Sequence, residues 1–196
     1  MLFKIIALFV MAAFYFCYFA KLISQKKKGI RTTQIGRGKS GSAKWVECTM
    51  MVTTILTPIA ELASIALGAS LLPTWARWIG VAIAAAGVGV FISAVLTMQD
   101  SWRAGVSKNE KTELVTSGIF GISRNPAFLG FDLVYVGILL MFFNLMLLVF
   151  SLFSALMFHL QIVNVEEDHL LESFGDEYLT YKKTVNRYLG RKRSRK

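Results

Sequence analysis

The 196-residue chain contains apolar runs about as long as a lipid bilayer is thick. A helix needs roughly 20 apolar residues to cross the hydrocarbon core of a membrane. Five runs meet this requirement, at residues 2–24, 46–72, 75–99, 127–143 and 145–165. We therefore predict an all-α integral membrane protein with about five transmembrane helices, because within lipid a lone helix satisfies its own backbone hydrogen bonds.

The first apolar run resembles a signal peptide only in part. It follows Lys4 and ends in large aromatic residues before Lys21. No small-x-small cleavage pattern follows it, so we predict a retained first span.

Charge and composition narrow the class of protein. The chain is 55% hydrophobic, yet its formal net charge is +10. This combination is typical of a multi-span membrane protein with basic loops, so we predict no nucleic-acid partner. Cys17 and Cys48 lack CxxC or histidine-rich surroundings, and the chain has only two histidines. We therefore predict neither a disulfide nor a metal site.

Basic residues predict the orientation in the membrane. Residues 26–44 and the tail from Lys182 are rich in Lys and Arg and contain no acid, whereas the opposite-side turns offer only Arg77. Basic loops face the cytoplasm. Five spans then place the N-terminus outside and the C-terminus in the cytoplasm. The odd number of spans and the distribution of basic residues thus predict the same orientation. Both basic segments would also lie against the anionic headgroups of the bilayer.

Two glycine patterns could suggest a nucleotide loop, and we interpret neither as one. "GRGKS" at 36–40 ends like a phosphate loop, but Thr33 stands where that motif needs glycine, and no strand precedes it. In the third run Gly80, Ala84 and Gly87 recur at helical spacing, which predicts close packing of helices in lipid.

Two stretches hold most of the polar residues that are candidates for catalysis or ligand binding. The first stretch, "SWRAGVSKNEKTELVTSGIFGISRNPAFLG", spans 101–130. Near its end lie Asn125 and Pro126, which suit the N-cap and the first position of a helix. Trp102 near its start is a candidate interfacial anchor. "VEEDHLLESFGDEYLTYKKTVNRYLG" spans 165–190. The predicted topology brings both stretches together in the cytoplasm.

The second stretch predicts a broken helix. Glycine at 175 should end one helix, and the acids that follow should begin another. Tyr178 and Tyr181 share a face of this short helix, and we predict that they pack on the membrane interface.

In this order and spacing, the two stretches resemble the C-terminal half of integral-membrane methyltransferases that use S-adenosylmethionine. The shared pattern is "LVTSG", an aromatic residue, "R-[HN]-P", a Glu-Glu pair and "FGxEYxxY". Two branches are similar: isoprenylcysteine carboxyl methyltransferases and phospholipid N-methyltransferases. The resemblance implies an enzyme that methylates a lipid or lipidated acceptor. It also implies a cytoplasmic cofactor pocket formed by residues 100–196, preceded by a three-span region at 1–99.

The resemblance also implies roles for individual residues. The cofactor-binding positions would be Leu114, Val115, Phe120, Asn125, Pro126, Phe128 and Glu166. We assign catalytic roles to Arg124 and Glu167, with pairing of Arg124 to an acid or a phosphate as the alternative. A carboxylate such as Glu166 can accept hydrogen bonds from ribose hydroxyls or an amine. Amides at the α-helix start suit the cofactor carboxylate, and aromatic faces suit a sulfonium. The simpler interpretation of Glu166 and Glu167 is that they end a span at the interface.

Two positions depart from the carboxyl methyltransferase pattern. Asn125 replaces a histidine, and Ile162 replaces an arginine linked to the substrate. The Asn-Pro pair is more similar to the phospholipid branch, and "FGDEYLTYKKTV" to the carboxyl branch. We predict an isoprenylcysteine carboxyl methyltransferase-like enzyme. The alternatives are a phospholipid N-methyltransferase, an NADPH-dependent membrane reductase with Arg103 and Arg124 near the cofactor, and a non-catalytic membrane scaffold.

Two acids lie within predicted spans, Glu61 in the second and Asp132 in the fourth. An ionisable residue at such a depth is a functional candidate. We predict that one of them faces the bundle interior near the path of the acceptor, with an interfacial position as the alternative for Asp132.

Overall fold

The computed structural model describes residues 1–30, 35, 40–102 and 113–192. Its six α-helices are α1 Leu2–Lys27, α2 Gly41–Leu67, α3 Thr74–Met98, α4 Pro126–Met141, α5 Leu145–Gln161 and α6 Glu167–Thr184. A π-helical segment, Ile162–Glu166, joins α5 to α6, and 3₁₀ turns lie at Gln99–Ser101 and Gly118–Gly121. Within the described residues, extended pairing is limited to one β-bridge between Val185 and Arg191. The predicted all-α fold is confirmed.

In the part of the chain that the structure describes, four helical segments are long and apolar enough to cross a membrane: α1, α2, α3 with its 3₁₀ extension, and the run that begins with α5. The shorter apolar α4 has 16 residues, about 24 Å at 1.5 Å per residue. That is less than the roughly 30 Å of a bilayer core. The five predicted spans therefore correspond to four long helices and one short one. The sequence predicts that α6, which carries acids in its first turn and lysines in its last turn, lies outside the membrane, and this stays a prediction.

Helix α2 begins and ends earlier than the predicted 46–72. Gly68 stops it, since it adopts a left-handed conformation (φ 72°) and its N–H donates to the Ser64 carbonyl. Lys4 Nζ reaches from α1 and donates to the Ala66 carbonyl at 2.7 Å. A cation at this end is favourable because the helix dipole is negative there.

Helices α3 and α4 pack backbone to backbone. A Cβ atom added to Gly80 would lie 2.5 Å from the Gly137 carbonyl oxygen, and one added to Gly137 would lie 2.5 Å from the Ala84 nitrogen. Gly87 and Gly130 meet in the same way, about two turns along each helix. The predicted packing role of the small residues is confirmed. This close pair fixes the position of the α4 N-terminus, where the candidate site lies.

Trp102 is part of the core. It is buried, and its ring meets Tyr18 edge-on at 5.7 Å between centroids. Gln25 Nε2 donates to its carbonyl oxygen at 2.9 Å. The interpretation of Trp102 as an interfacial anchor is therefore wrong, because its side chain is buried against aromatic residues of α1 and α3.

Candidate functional site

A cavity of about 450 Å³ connects the polar segment before α4 to apolar residues of the membrane helices. All seven predicted cofactor-binding residues line it: Leu114, Val115, Phe120, Asn125, Pro126, Phe128 and Glu166. Arg124 lines it as well, whereas Glu167 does not. The structure thus brings the predicted positions together, and their binding of a cofactor stays a prediction.

The cavity wall includes residues that the sequence did not predict. Tyr15 and Tyr18 come from α1, Met50 and Thr54 from α2, and Phe91 from α3. The prediction that the C-terminal half alone forms the pocket was therefore incomplete. These residues belong to runs with an apolar composition, and nothing in that composition marks them as neighbours of the "RNP" segment.

The start of α4 offers backbone donors to the cavity. Asn125 occupies the N-cap and Pro126 the first helical position, as predicted. The Asn125 side chain does not cap the helix; its Nδ2 donates to the Arg187 carbonyl at 3.1 Å. The first intrahelical bond runs from the Leu129 N–H to the Asn125 carbonyl. The N–H groups of Ala127 and Phe128 therefore find no acceptor within the helix, a geometry that suits an anion.

Two tyrosines of α6 hold the wall of the cavity in place. Tyr181 Oη donates to the Phe120 carbonyl at 2.7 Å, and Tyr178 Oη accepts from Arg124 Nη1 at 2.7 Å. Both side chains are buried. The prediction that they pack on the membrane interface is wrong, because their hydroxyls find partners inside the protein.

Glu167 sits at the centre of a buried ion network. It accepts from Arg124 Nη2 at 3.0 Å, Lys182 Nζ at 2.9 Å and Arg187 Nε at 2.7 Å. Burial by itself raises the pKa of Glu167, but hydrogen bonds from Arg187 and Lys182 and the charges of Arg124 and Arg187 together lower it to about 2. The carboxylate is therefore ionised at any working pH.

This network determines what Arg124 and Glu167 can do. Arg124 is buried, lines the cavity and is tied to α6 through Glu167 and Tyr178. Arg124 therefore pairs with an acid, which is the alternative role that the sequence predicted for it. Glu167 does not line the cavity, and its carboxylate contacts the cavity-lining Arg124. Catalytic roles for the two residues stay predictions.

Glu166 points into the cavity and is bound by a neutral donor. Gln161 Nε2 donates to Glu166 Oε1 at 3.1 Å and also lies 3.4 Å from Glu47 Oε1. Sequence reasoning missed both Gln161 and Glu47. A signal for Glu47 existed, because an acid among apolar residues of a span is a functional candidate, and the same rule singled out Glu61.

The remaining predicted features have mixed outcomes. Gly175 has φ 49°, which kinks α6 as expected, and the neighbouring Phe174 lines the cavity. Ile162, which stands where the carboxyl methyltransferase pattern has an arginine, is fully buried. Arg103 lies outside the described residues, so its predicted proximity to a cofactor stays a prediction.

One intramembrane acid faces the bundle interior, as predicted. Glu61 is fully buried, and neither carboxylate oxygen has a hydrogen-bond partner among the described residues. It interacts electrostatically with Tyr15, which lines the cavity. Asp132 is half-buried, and its Oδ1 likewise finds no partner among the described residues. Their proximity to an acceptor stays a prediction.

The sequence of the chain is similar to those of known methyltransferases. Protein-S-isoprenylcysteine O-methyltransferase of Xenopus laevis is 29% identical over 146 residues, 73% of this chain and 46% of that protein. The Saccharomyces cerevisiae protein of the same name is 38% identical over 72 residues, 37% of this chain and 30% of that protein. The chain thus spans less than half the length of these relatives.

A solved structure shares the fold. The eukaryotic intramembrane Ras methyltransferase, isoprenylcysteine carboxyl methyltransferase, matches with a TM-score of 0.62 at 23% identity, over 90% of this chain and 62% of that one. With the long apolar helices, this fold makes the chain a multi-pass membrane protein.

A family model for phospholipid methyltransferases matches residues 75–177, more than half of the chain. The match runs from α3 to the kinked α6 and includes every residue that the sequence nominated for the site. The chain therefore belongs to the phospholipid methyltransferase family.

Proposed function

We propose that this protein transfers a methyl group from S-adenosylmethionine to a lipid or lipidated acceptor, as an isoprenylcysteine carboxyl methyltransferase-like enzyme. One observation supports this above all: a single cavity joins Glu166 and the α4 N-terminus to apolar residues of α1 and α2. Its polar part suits a charged cofactor, and its apolar part suits a hydrocarbon chain that arrives from the bilayer.

The lining residues fit the proposed cofactor. S-adenosylmethionine supplies a methyl group activated by a sulfonium. The Glu166 carboxylate would bind its ribose hydroxyls or its amine. The N–H groups of Ala127 and Phe128 would bind its carboxylate. Phe120 lines the same cavity and presents an aromatic ring to a cation.

The chain's own residues contribute alignment and exclusion of water more than acid–base chemistry. A carboxylate acceptor loses no proton on methylation, so that reaction needs no general base. Glu167, with a pKa of about 2, is too weak a base to take a proton at neutral pH. Arg124 lines the cavity, where its charge suits an anionic acceptor. These features favour a carboxylate acceptor over an amine.

A phospholipid amine is the second candidate acceptor. The family model and Asn125, in place of histidine, favour it. Methylation of an amine releases a proton, which the described cavity would have to pass to water. We place the polar part of the cavity on the cytoplasmic side, since the basic tail follows α6.

Calorimetric titration of the detergent-solubilised protein with S-adenosylhomocysteine tests the cofactor. We expect binding by the wild type that is lost in Glu166→Ala and retained in Glu177→Ala, which changes an exposed acid of α6. NADPH is titrated in parallel. Binding of NADPH instead would favour the reductase, and binding of neither by folded protein would favour the scaffold.

A second assay identifies the acceptor. The protein is incubated with methyl-labelled S-adenosylmethionine and, separately, a prenylated cysteine or phosphatidylethanolamine. A methyl ester releases labelled methanol in base, whereas an N-methyl group does not. We expect base-labile label on the prenylated cysteine. Base-stable label on the phospholipid would instead establish the amine acceptor.

A further inference from the structure

The π-helical segment at Ile162–Glu166 alters the direction of Glu166. In an α-helix, residues five apart point about 140° away from each other, since each residue turns by about 100°. Here the Glu167 N–H bonds to the Ile162 carbonyl, five residues back. This wider turn brings residues 161 and 166 to one side, and their side chains meet at 3.1 Å. Such π-segments are frequent at functional sites.

Gln161 connects Glu166 to a second carboxylate from a distant helix. Its amide nitrogen donates to Glu166 Oε1 and lies 3.4 Å from Glu47 Oε1 on α2. Gln161 and Glu47 are both fully buried. Because the one amide nitrogen serves both carboxylates, Glu47 fixes which way the Gln161 amide faces.

Gln161 is a neutral donor. Its hydrogen bond therefore orients the Glu166 carboxylate without adding a positive charge of its own.

We infer that Glu47 and Gln161 are positioning residues that hold the Glu166 carboxylate toward the cavity. The inference rests on the proposed function, because it concerns the affinity for S-adenosylhomocysteine. It assigns part of the cofactor site to the N-terminal half, through contact between α2 and α5.

The test measures S-adenosylhomocysteine affinity by calorimetry in four variants of the whole 196-residue chain. Gln161→Met and Glu47→Met remove the donor and the distal acceptor. We expect each to weaken binding about 3- to 10-fold, the range of one net hydrogen bond. Glu47→Gln keeps an acceptor for the Gln161 amide and should bind within about 2-fold of wild type. Thr53→Val, at another buried polar residue of α2 that does not line the cavity, is the matched control and should bind as wild type.

A double variant separates positioning from general loss of structure. In a Glu166→Gln background, Gln161→Met should cause much less further weakening, because the two residues act through one contact. An equal loss in both backgrounds would overturn the inference. So would equal weakening by Glu47→Gln and Glu47→Met, which would make charge the cause, or unchanged binding in Gln161→Met. Failure of the wild type to bind would instead overturn the proposed function, and the inference with it.

Discussion

Replacement of Glu167 by Gln should destabilise the protein severely, because it leaves a buried cation without its counter-charge. The Arg124 side chain is 4% exposed and that of Glu167 is 7% exposed. Arg124 Nε already has no hydrogen-bond partner among the described residues. A glutamine of nearly the same size keeps the packing but removes the charge that compensates the guanidinium.

The magnitude follows from the burial of each partner. Breaking a buried ion pair from one side destabilises a protein by about 3–5 kcal/mol. Lys182 and Arg187, with side chains 42% and 31% exposed, are better solvated and add at most about 1 kcal/mol each. For a chain of this size, about 3–5 kcal/mol lowers the thermal midpoint by roughly 6–20 °C.

The measurement is the thermal midpoint of Glu167→Gln in detergent, with Asp168→Asn as control. Asp168 is the next acid along α6 and is exposed, so its neutralisation should shift the midpoint little. In the double variant Arg124→Met/Glu167→Gln we expect recovery of part of the loss, since neither charge remains. Equal midpoints for Glu167→Gln and Asp168→Asn would refute the reasoning, because they would show that solvent already screens the network.

Two further predictions concern packing and pH. Gly137→Ala should destabilise the fold by about 1–3 kcal/mol or more, because its Cβ would lie 2.5 Å from the backbone nitrogen of Ala84. Gly89→Ala is the control, since its Cβ would meet open space, and it should be neutral or stabilising. The thermal midpoint in detergent measures both variants. Folding lowers the pKa of Glu167 from 4.5 to about 2, so its ion pairs stabilise the fold fully above about pH 4.5 and lose this effect as pH falls toward 2. The fall in thermal midpoint from pH 5 to pH 3 should therefore be steeper in the wild type than in Glu167→Gln, and equal slopes would contradict the assignment.

The site was partly predictable because its chemistry is concentrated in one contiguous segment. "RNPAF" carries the N-cap, the fixed proline and two aromatic or apolar wall residues within a few positions. The ligand-facing amides at the start of α4 follow from that local pattern. The left-handed stop at Gly68 was not predicted. The small residues of the third span predicted close helix packing, but not that α4 is the partner helix.

The sequence by itself determined the apolar helices, the helix start at Pro126, the break at Gly175 and the packing role of the small residues, because apolar length and backbone restriction are local properties. Only the tertiary structure decided that Tyr178 and Tyr181 turn inward, that Arg124 and Glu167 pair, and that Glu47 approaches Glu166 through Gln161. Apart from the contact between Gln161 and Glu166, these contacts join residues 43 to 114 positions apart. Their formation depends on how the helices pack and on one π-turn, and neither leaves a periodic signal in the chain.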